Sequence, residues 1–320
     1  MLDCKLERLQ LIDCKSLLKV PEGLHHLTSL QELHINHCPS LVSIPDVGLP
    51  PFLKRITIDG CRSLLHFAKY QNLPTLRSIK ISECENLRSL IEKEEVVEDG
   101  SCVSAYCLEY LQLRLCPSMV LLWKGKLPRA LTHLQIRNCT ELELIADRFL
   151  DDSCQLESIG ISDCPNLKFL PEGLCQLTKL QSLCIRDCQS LVSLPRMSVW
   201  PRNMSIVSCE KLEVSQLVMR DMMQTSDLEE LTSLRELYLW GERDQSIVSF
   251  PPGEREKEMM LPTSLVKLDI RYFRNLKKLN KGFQFLTSLE TLYIFGCPKL
   301  TTIPEEEGGL PASFTYSSCY

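Results

Sequence analysis

Seventeen cysteines and six histidines are the residues of this 320-residue chain that could ligate a metal, form disulfides or act as nucleophiles. Eleven of the cysteines (Cys14, Cys38, Cys61, Cys84, Cys116, Cys139, Cys164, Cys188, Cys209, Cys297 and Cys319) recur at long, repeat-like intervals. A structural zinc site instead draws its ligands in pairs a few residues apart. Cys184 and Cys188 come closest to that spacing, but strand alternation sends one outward and the other into the core. A disulfide fits no better, because stacked equivalent positions aim their side chains in parallel rather than at each other. The histidines (His25, His26, His34, His37, His66, His133) are scattered, and Gly308-Gly309 is not followed by the Lys-Ser/Thr of a phosphate loop. No G-x-S-x-G, H-E-x-x-H or Cys-x-x-Cys occurs. Neither catalytic residues, nor a metal, nor a cofactor is expected, and the chain does not read as an enzyme.

What positions the cysteines is a repeat. Leu30-Gln-Glu-Leu33-His-Ile35-Asn-His-Cys38-Pro-Ser-Leu41 and Leu180-Gln-Ser-Leu183-Cys-Ile185-Arg-Asp-Cys188-Gln-Ser-Leu191 share the frame L-x-x-L-x-L/I-x-x-C-x-x-L. It starts again at Leu6, Leu53, Leu76, Leu108, Leu131, Leu156, Leu265 and Leu289, with degenerate copies at Pro201 and Leu234 and a half-copy from Pro311. Most starts lie 21 to 25 residues apart, the period of leucine-rich repeats. In Leu33-His34-Ile35 the period of two points the apolar pair one way and His34 the other. One short strand per repeat, always re-entering in the same direction, builds a parallel sheet. The expected fold is therefore an α/β solenoid, a leucine-rich-repeat horseshoe with a concave parallel sheet and mostly irregular or 3₁₀ convex returns. Residues 1–320 are expected to form a single domain of about thirteen repeats, with inserts near 91–105, 213–232 and 251–262.

The Cys slot ends the strand, where a small buried side chain with weak hydrogen-bonding ability suits the turning backbone. Cysteines kept for packing imply a reducing compartment. Met1-Leu2-Asp3-Cys4-Lys5 does not open a signal peptide, and no apolar run is long enough to span a membrane. A net charge of −5 disfavours nucleic acid as a main partner. The expected location is cytoplasmic or nuclear.

Specificity must then sit at the outward strand positions, which have no packing duty. Through the first nine repeats these are small or polar, such as Thr57, Gln112, Gln135, Gly160 and Ser205. Towards the C-terminus Tyr238 and Trp240, then Asp269, Arg271 and Tyr272, then Tyr293 and Phe295 come together on three successive strands. Exposed aromatics with Arg have the composition of binding hot spots. The alternative is a satellite core covered by an insert around Leu217 or Met259-Met260. Arg114, Arg137, Arg186 and Arg271 occupy equivalent outward slots, either as solvated charge among acidic neighbours (Asp163, Asp187) or as a surface for an acidic partner.

The frame, its Pro-Glu-Gly-Leu links at Leu24 and Leu174, and the strand ends Cys38-Pro39, Cys116-Pro117, Cys164-Pro165 and Cys297-Pro298 resemble the C-terminal repeats of plant nucleotide-binding leucine-rich-repeat disease-resistance proteins of the coiled-coil class. The resemblance implies a plant-defense protein-binding module. Its partners would be a pathogen effector, a guarded host protein or the receptor's own nucleotide-binding domain, with neither nucleic acid nor membrane among them. The sequence contains no such switch domain and opens inside a repeat, so it is expected to be a fragment, a truncated product or a partial gene model. A ubiquitin-ligase adaptor, a cell-surface ectodomain and a generic scaffold are the competing readings. An Ile-Thr-Asp-like continuation of the Cys slot would favour the first of these, and N-x-L-x-G-x-I-P the second.

Overall fold

The computed structural model describes residues 5–44, 49–68, 75–91, 107–124, 126–146, 154–171, 173–174, 177–194, 201–209, 211–212, 233–241, 247–250, 261–280, 283 and 286–303. The inserts expected near 91–105, 213–232 and 251–262, and the half-copy from Pro311 to Cys319, lie almost wholly outside the described residues. The chain forms two compact units, Met1–Gly173 and Leu174–Tyr320.

In the first unit seven five-residue strands pair in parallel: Arg8–Ile12, Glu32–Asn36, Arg55–Asp59, Ser78–Ser82, Tyr110–Arg114, His133–Arg137 and Ser158–Ser162. In the second, five more do so: Ser182–Arg186, Asn203–Val207, Glu236–Trp240, Lys267–Arg271 and Thr291–Phe295. Each begins two residues after one of the first twelve frame starts.

The register is uniform because each frame places the same residue opposite the same residue. In the first unit Leu33, Ile56, Ile79, Leu111, Leu134 and Ile159 form one inward column, and Ile35, Ile58, Ile81, Leu113, Ile136 and Ile161 the other. All are buried. Removing one such side chain from water stabilises by about 1.5–3 kcal/mol, which no isolated repeat could realise.

Two backbone devices end eleven of the twelve strands. The residue before the Cys slot takes a left-handed conformation, at Asp13, His37, Gly60, Glu83, Leu115, Asn138, Asp163, Asp187, Ser208, Tyr272 and Gly296. Its N–H reaches the last strand carbonyl of the next repeat, as in His37 to Asp59 at 2.8 Å and Asn138 to Ser162 at 3.0 Å. The slot carbonyl then accepts from the N–H three residues on, as Cys61 does from Leu64 at 3.1 Å.

The thiols match the role the sequence gives them. Cys84, Cys164 and Cys188 each donate at 3.3 Å to the carbonyl two residues back, and the other slot cysteines among the described residues do the same at up to 3.7 Å. The described cysteines are free thiols. Burial pushes Cys61 up to about 11 and Cys116 up to about 12, so both stay protonated and unreactive at neutral pH. In the Leu265 repeat the slot holds Phe273, fully buried. The preceding repeat makes room with Gly241, where any Cβ would run into the Phe273 ring.

The returns carry more order than the sequence suggests. Besides a 3₁₀ segment at Glu22–His26, short parallel strands pair His66–Ala68 with Ser89–Ile91, Leu121–Trp123 with Leu144–Ala146, and Ser249–Phe250 with Lys278–Leu279. Single bridges join Lys19 to Ser43 and Ser43 to His66. Stacked returns bring equivalent N–H and C=O groups side by side, and pairing satisfies them where they would otherwise lie unpartnered. No α-helix occurs among the described residues.

Two outcomes check this arrangement. Ile58→Asp puts an unpaired charge between packed repeats and should cost about 3–5 kcal/mol or unfold the first unit, whereas Thr57→Asp, facing outward beside Lys80, should cost under about 0.5 kcal/mol in urea denaturation. Leu115 holds φ +53° without glycine's freedom or an Asn side chain's local hydrogen bond. Leu115→Asn should therefore raise stability by about 0.5–1 kcal/mol, and a loss of that size would show that the Leu115 side chain has a packing role outweighing its strain.

Candidate functional site

In the second unit, alternation within Glu236–Trp240 turns Leu237 and Leu239 inward and leaves Glu236, Tyr238 and Trp240 outward. The next two strands repeat the pattern in register. Three rows cross them: Glu236–Lys267–Thr291, Tyr238–Asp269–Tyr293 and Trp240–Arg271–Phe295. The seven candidate residues are thus brought together, Tyr272 included. Held at φ +60°, Tyr272 sets its ring edge-on to Trp240 (5.6 Å) and to Phe295 (5.4 Å). Gly296 admits this ring, since a Cβ there would stand 2.6 Å from it.

Two charged side chains lock the rings. Arg271 forks onto Asp269, with Nε to Oδ1 at 2.6 Å and Nη2 to Oδ2 at 2.8 Å, and lays its guanidinium over Trp240 at 5.4 Å. Lys267 Nζ stands between Tyr238 (5.0 Å) and Tyr293 (5.6 Å). The Tyr238 hydroxyl donates to Glu236 at 2.7 Å; burial first, then that bond, raises its pKa. The hydrogen bond with Tyr238 holds the Lys267 ammonium above its usual value, and the Asp269 fork does the same for Arg271.

Asp269 faces outward by alternation, yet its neighbours leave it 2% exposed. It therefore fixes Arg271 rather than meeting a partner. Tyr293 and Phe295, each 40% exposed, form the accessible part. Lys267 and Glu236 complete the site and are absent from the sequence-based set, although both sit at outward positions of the same strands and the alternation could have found them. Two cations and two carboxylates balance, so the surface is aromatic and locally neutral. The inserts around Leu217 and Met259-Met260, proposed from the sequence as a cover, lie outside the described residues.

The first unit presents a different surface. Glu32 accepts from Arg8 Nε at 2.5 Å and from Arg55 on the other side, and His34 Nε2 lies 3.7 Å away. This bridge ties three strands together. Hydrogen bonds from Arg55 first and Arg8 second hold the Glu32 carboxyl down at about 2. Further along, Lys80 stands over Tyr110 at 5.2 Å and Tyr110 stacks on His133 at 6.2 Å. Arg114 and Arg137 are direct neighbours across the sheet. Among the described residues no group of three or more His, Cys, Asp or Glu could hold a metal, and no helix is long and apolar enough to cross a membrane.

The Glu32 bridge has a pH signature. Because its folded pKa lies below the unfolded value, its contribution is complete above about pH 4.5 and disappears as pH falls towards 2. Glu32→Gln should lower the thermal midpoint at pH 7, with the gap from the parent closing between pH 4.5 and 2. A gap that stays constant across that range would show that the two arginines do not act on the Glu32 charge.

Comparison with known proteins finds likeness in sequence to plant disease-resistance proteins. No family model matches the chain. A putative disease resistance protein of Arabidopsis thaliana is 29% identical over 98% of this chain and 22% of its own length. The TMV resistance protein N of Nicotiana glutinosa is 24% identical over 80% of the chain and 25% of its own length. Among solved structures, the leucine-rich repeat domain of the type III effector XopL is 21% identical, with 59% of this chain and 71% of that one covered and a TM-score of 0.37. The chain spans about a quarter or less of the length of these two curated relatives. It is a leucine-rich-repeat solenoid similar in sequence to plant disease-resistance proteins.

Proposed function

We propose that this chain is the non-catalytic protein-recognition part of a plant immune receptor. It would sense a pathogen effector or its guarded host target, or restrain the receptor's own nucleotide-binding domain. The observation that carries this reading is the ring cluster of the second unit. The inward residues Leu237, Leu239, Leu268, Ile270 and Leu292 are buried, while Tyr293 and Phe295 stand accessible on the opposite face of the last described strand. Rigid aromatics held by fixed charges lose little entropy on binding and bury much area, which is what interface hot spots do. The Cys-Pro strand ends support the coiled-coil class of receptor. Free thiols raised by burial support a reducing, cytoplasmic setting. The repeat frame running through both units supports a single recognition domain.

The test uses the chain beside its Tyr293→Ala/Phe295→Ala variant, first shown to match in circular dichroism and thermal midpoint. A protein captured from plant extract by the parent is then purified and titrated against both. Loss of about 2 kcal/mol or more on the variant, roughly thirtyfold in Kd, places recognition on the rings. Equal affinity removes the ring cluster as the recognition surface.

A further inference from the structure

The outward face of the first unit carries a second, chemically distinct surface. One row runs Asn36–Asp59–Ser82–Arg114–Arg137–Ser162, fixed by the strand register. Arg114 and Arg137 are both exposed, and their strands stand roughly 4.8 Å apart. Like charges directly opposite on neighbouring strands repel one another. Elsewhere on this face such cost is offset, since Arg8 and Arg55 share Glu32 and Arg77 meets Glu109 at 3.0 Å. Among the described residues neither Arg114 nor Arg137 has a side-chain hydrogen bond or ion pair. Asp59, the first carboxylate along their row, is occupied by the Ser82 hydroxyl and faces His37 at 3.9 Å. Glu83 and Asp163, on the adjoining turns, make no ion pair with either arginine.

The other end of the same two strands is also organised. Tyr110 lies between the Lys80 ammonium and the His133 ring, and its hydroxyl donates to Gln112 Oε1 at 3.4 Å. Lys80, exposed, adds a third positive charge one row over. We propose that Arg114 and Arg137, with Lys80 and the Tyr110–His133 stack, form a docking surface for an acidic segment of a protein partner. Its carboxylates would be gripped by the arginine forks while its methylenes rest on the rings. A carboxylate suits the pair because each guanidinium presents parallel N–H donors at carboxylate spacing. A nucleic acid suits it less: the cationic spot is only about three strands wide, Asp59 and Asp163 flank it, and the chain carries a net charge of −5. This deepens the recognition reading but does not depend on the ring cluster of the other unit.

The experiment is fluorescence anisotropy of the full chain with fluorescein-labelled hexaglutamate at low ionic strength. Hexaglutamine and a twelve-residue oligothymidylate serve as comparison probes. Arg114→Gln/Arg137→Gln should weaken hexaglutamate binding about tenfold or more. The charge-matched Lys54→Gln/Arg62→Gln variant should change it by less than about twofold, as should Tyr293→Ala/Phe295→Ala. Salt should weaken the parent's binding, and hexaglutamine should not bind. Three results would overturn the proposal: no binding by the parent, equal losses in the two charge-matched variants, or tighter binding of the oligothymidylate.

Discussion

Everything in this molecule depends on the point where each strand stops. One residue at positive φ turns the chain and gives its N–H to the last strand carbonyl of the next repeat. The following slot buries a thiol whose weak donor returns to the strand just completed. Register is thus held by backbone and slot together with the leucines, since a one-residue slip would move every inward Leu and Ile to solvent. The left-handed residue costs roughly 1 kcal/mol in most side chains, and nine of the eleven repeats accept that cost, the other two holding glycine there. A cross-repeat hydrogen bond gained at most of them offsets it.

This construction separates scaffold from surface. The inward columns and the Cys slot tolerate little, whereas the outward positions are constrained only by their neighbours across the sheet. On one unit they hold a neutral cluster of rings fixed by Arg271 and Lys267, and on the other a charge bridge at Glu32 and an unpaired arginine couple. Two surfaces of different chemistry therefore stand on the same backbone geometry.

The sequence made the fold legible because the frame repeats. Period two within each copy and a 21–25-residue spacing between most copies predict the strands, their direction and their inward residues. The aromatic positions follow from the same alternation. Other features are written in no single residue. The left-handed positions hold Asp, His, Gly, Glu, Leu, Asn, Ser and Tyr, so no side-chain identity marks them. The burial of Asp269 depends on what Arg271 does, and the Glu32 bridge depends on register across three repeats. The return strands are two or three residues long and carry no alternation to read. Phe273 in a Cys slot looks like a broken repeat until Gly241 is seen making space for it one repeat earlier.

That last compensation sets the limit on how freely such a surface can vary. Side chains on a parallel sheet can lean over their neighbours, and several large residues here do so onto a glycine of an adjacent repeat. Gln135 lies over Gly160, His37 over Gly60 and Tyr272 over Gly296. At Gly60 and Gly296 the backbone also sits at φ above +60°, so glycine answers a conformational and a steric demand together. A new outward aromatic is therefore accommodated most readily where the adjacent repeat already offers a glycine. Tyr272 over Gly296 is such a case, and it holds the ring cluster on which recognition is proposed to rest. Variation of the surface is in this sense pairwise, and its unit is two neighbouring repeats rather than one.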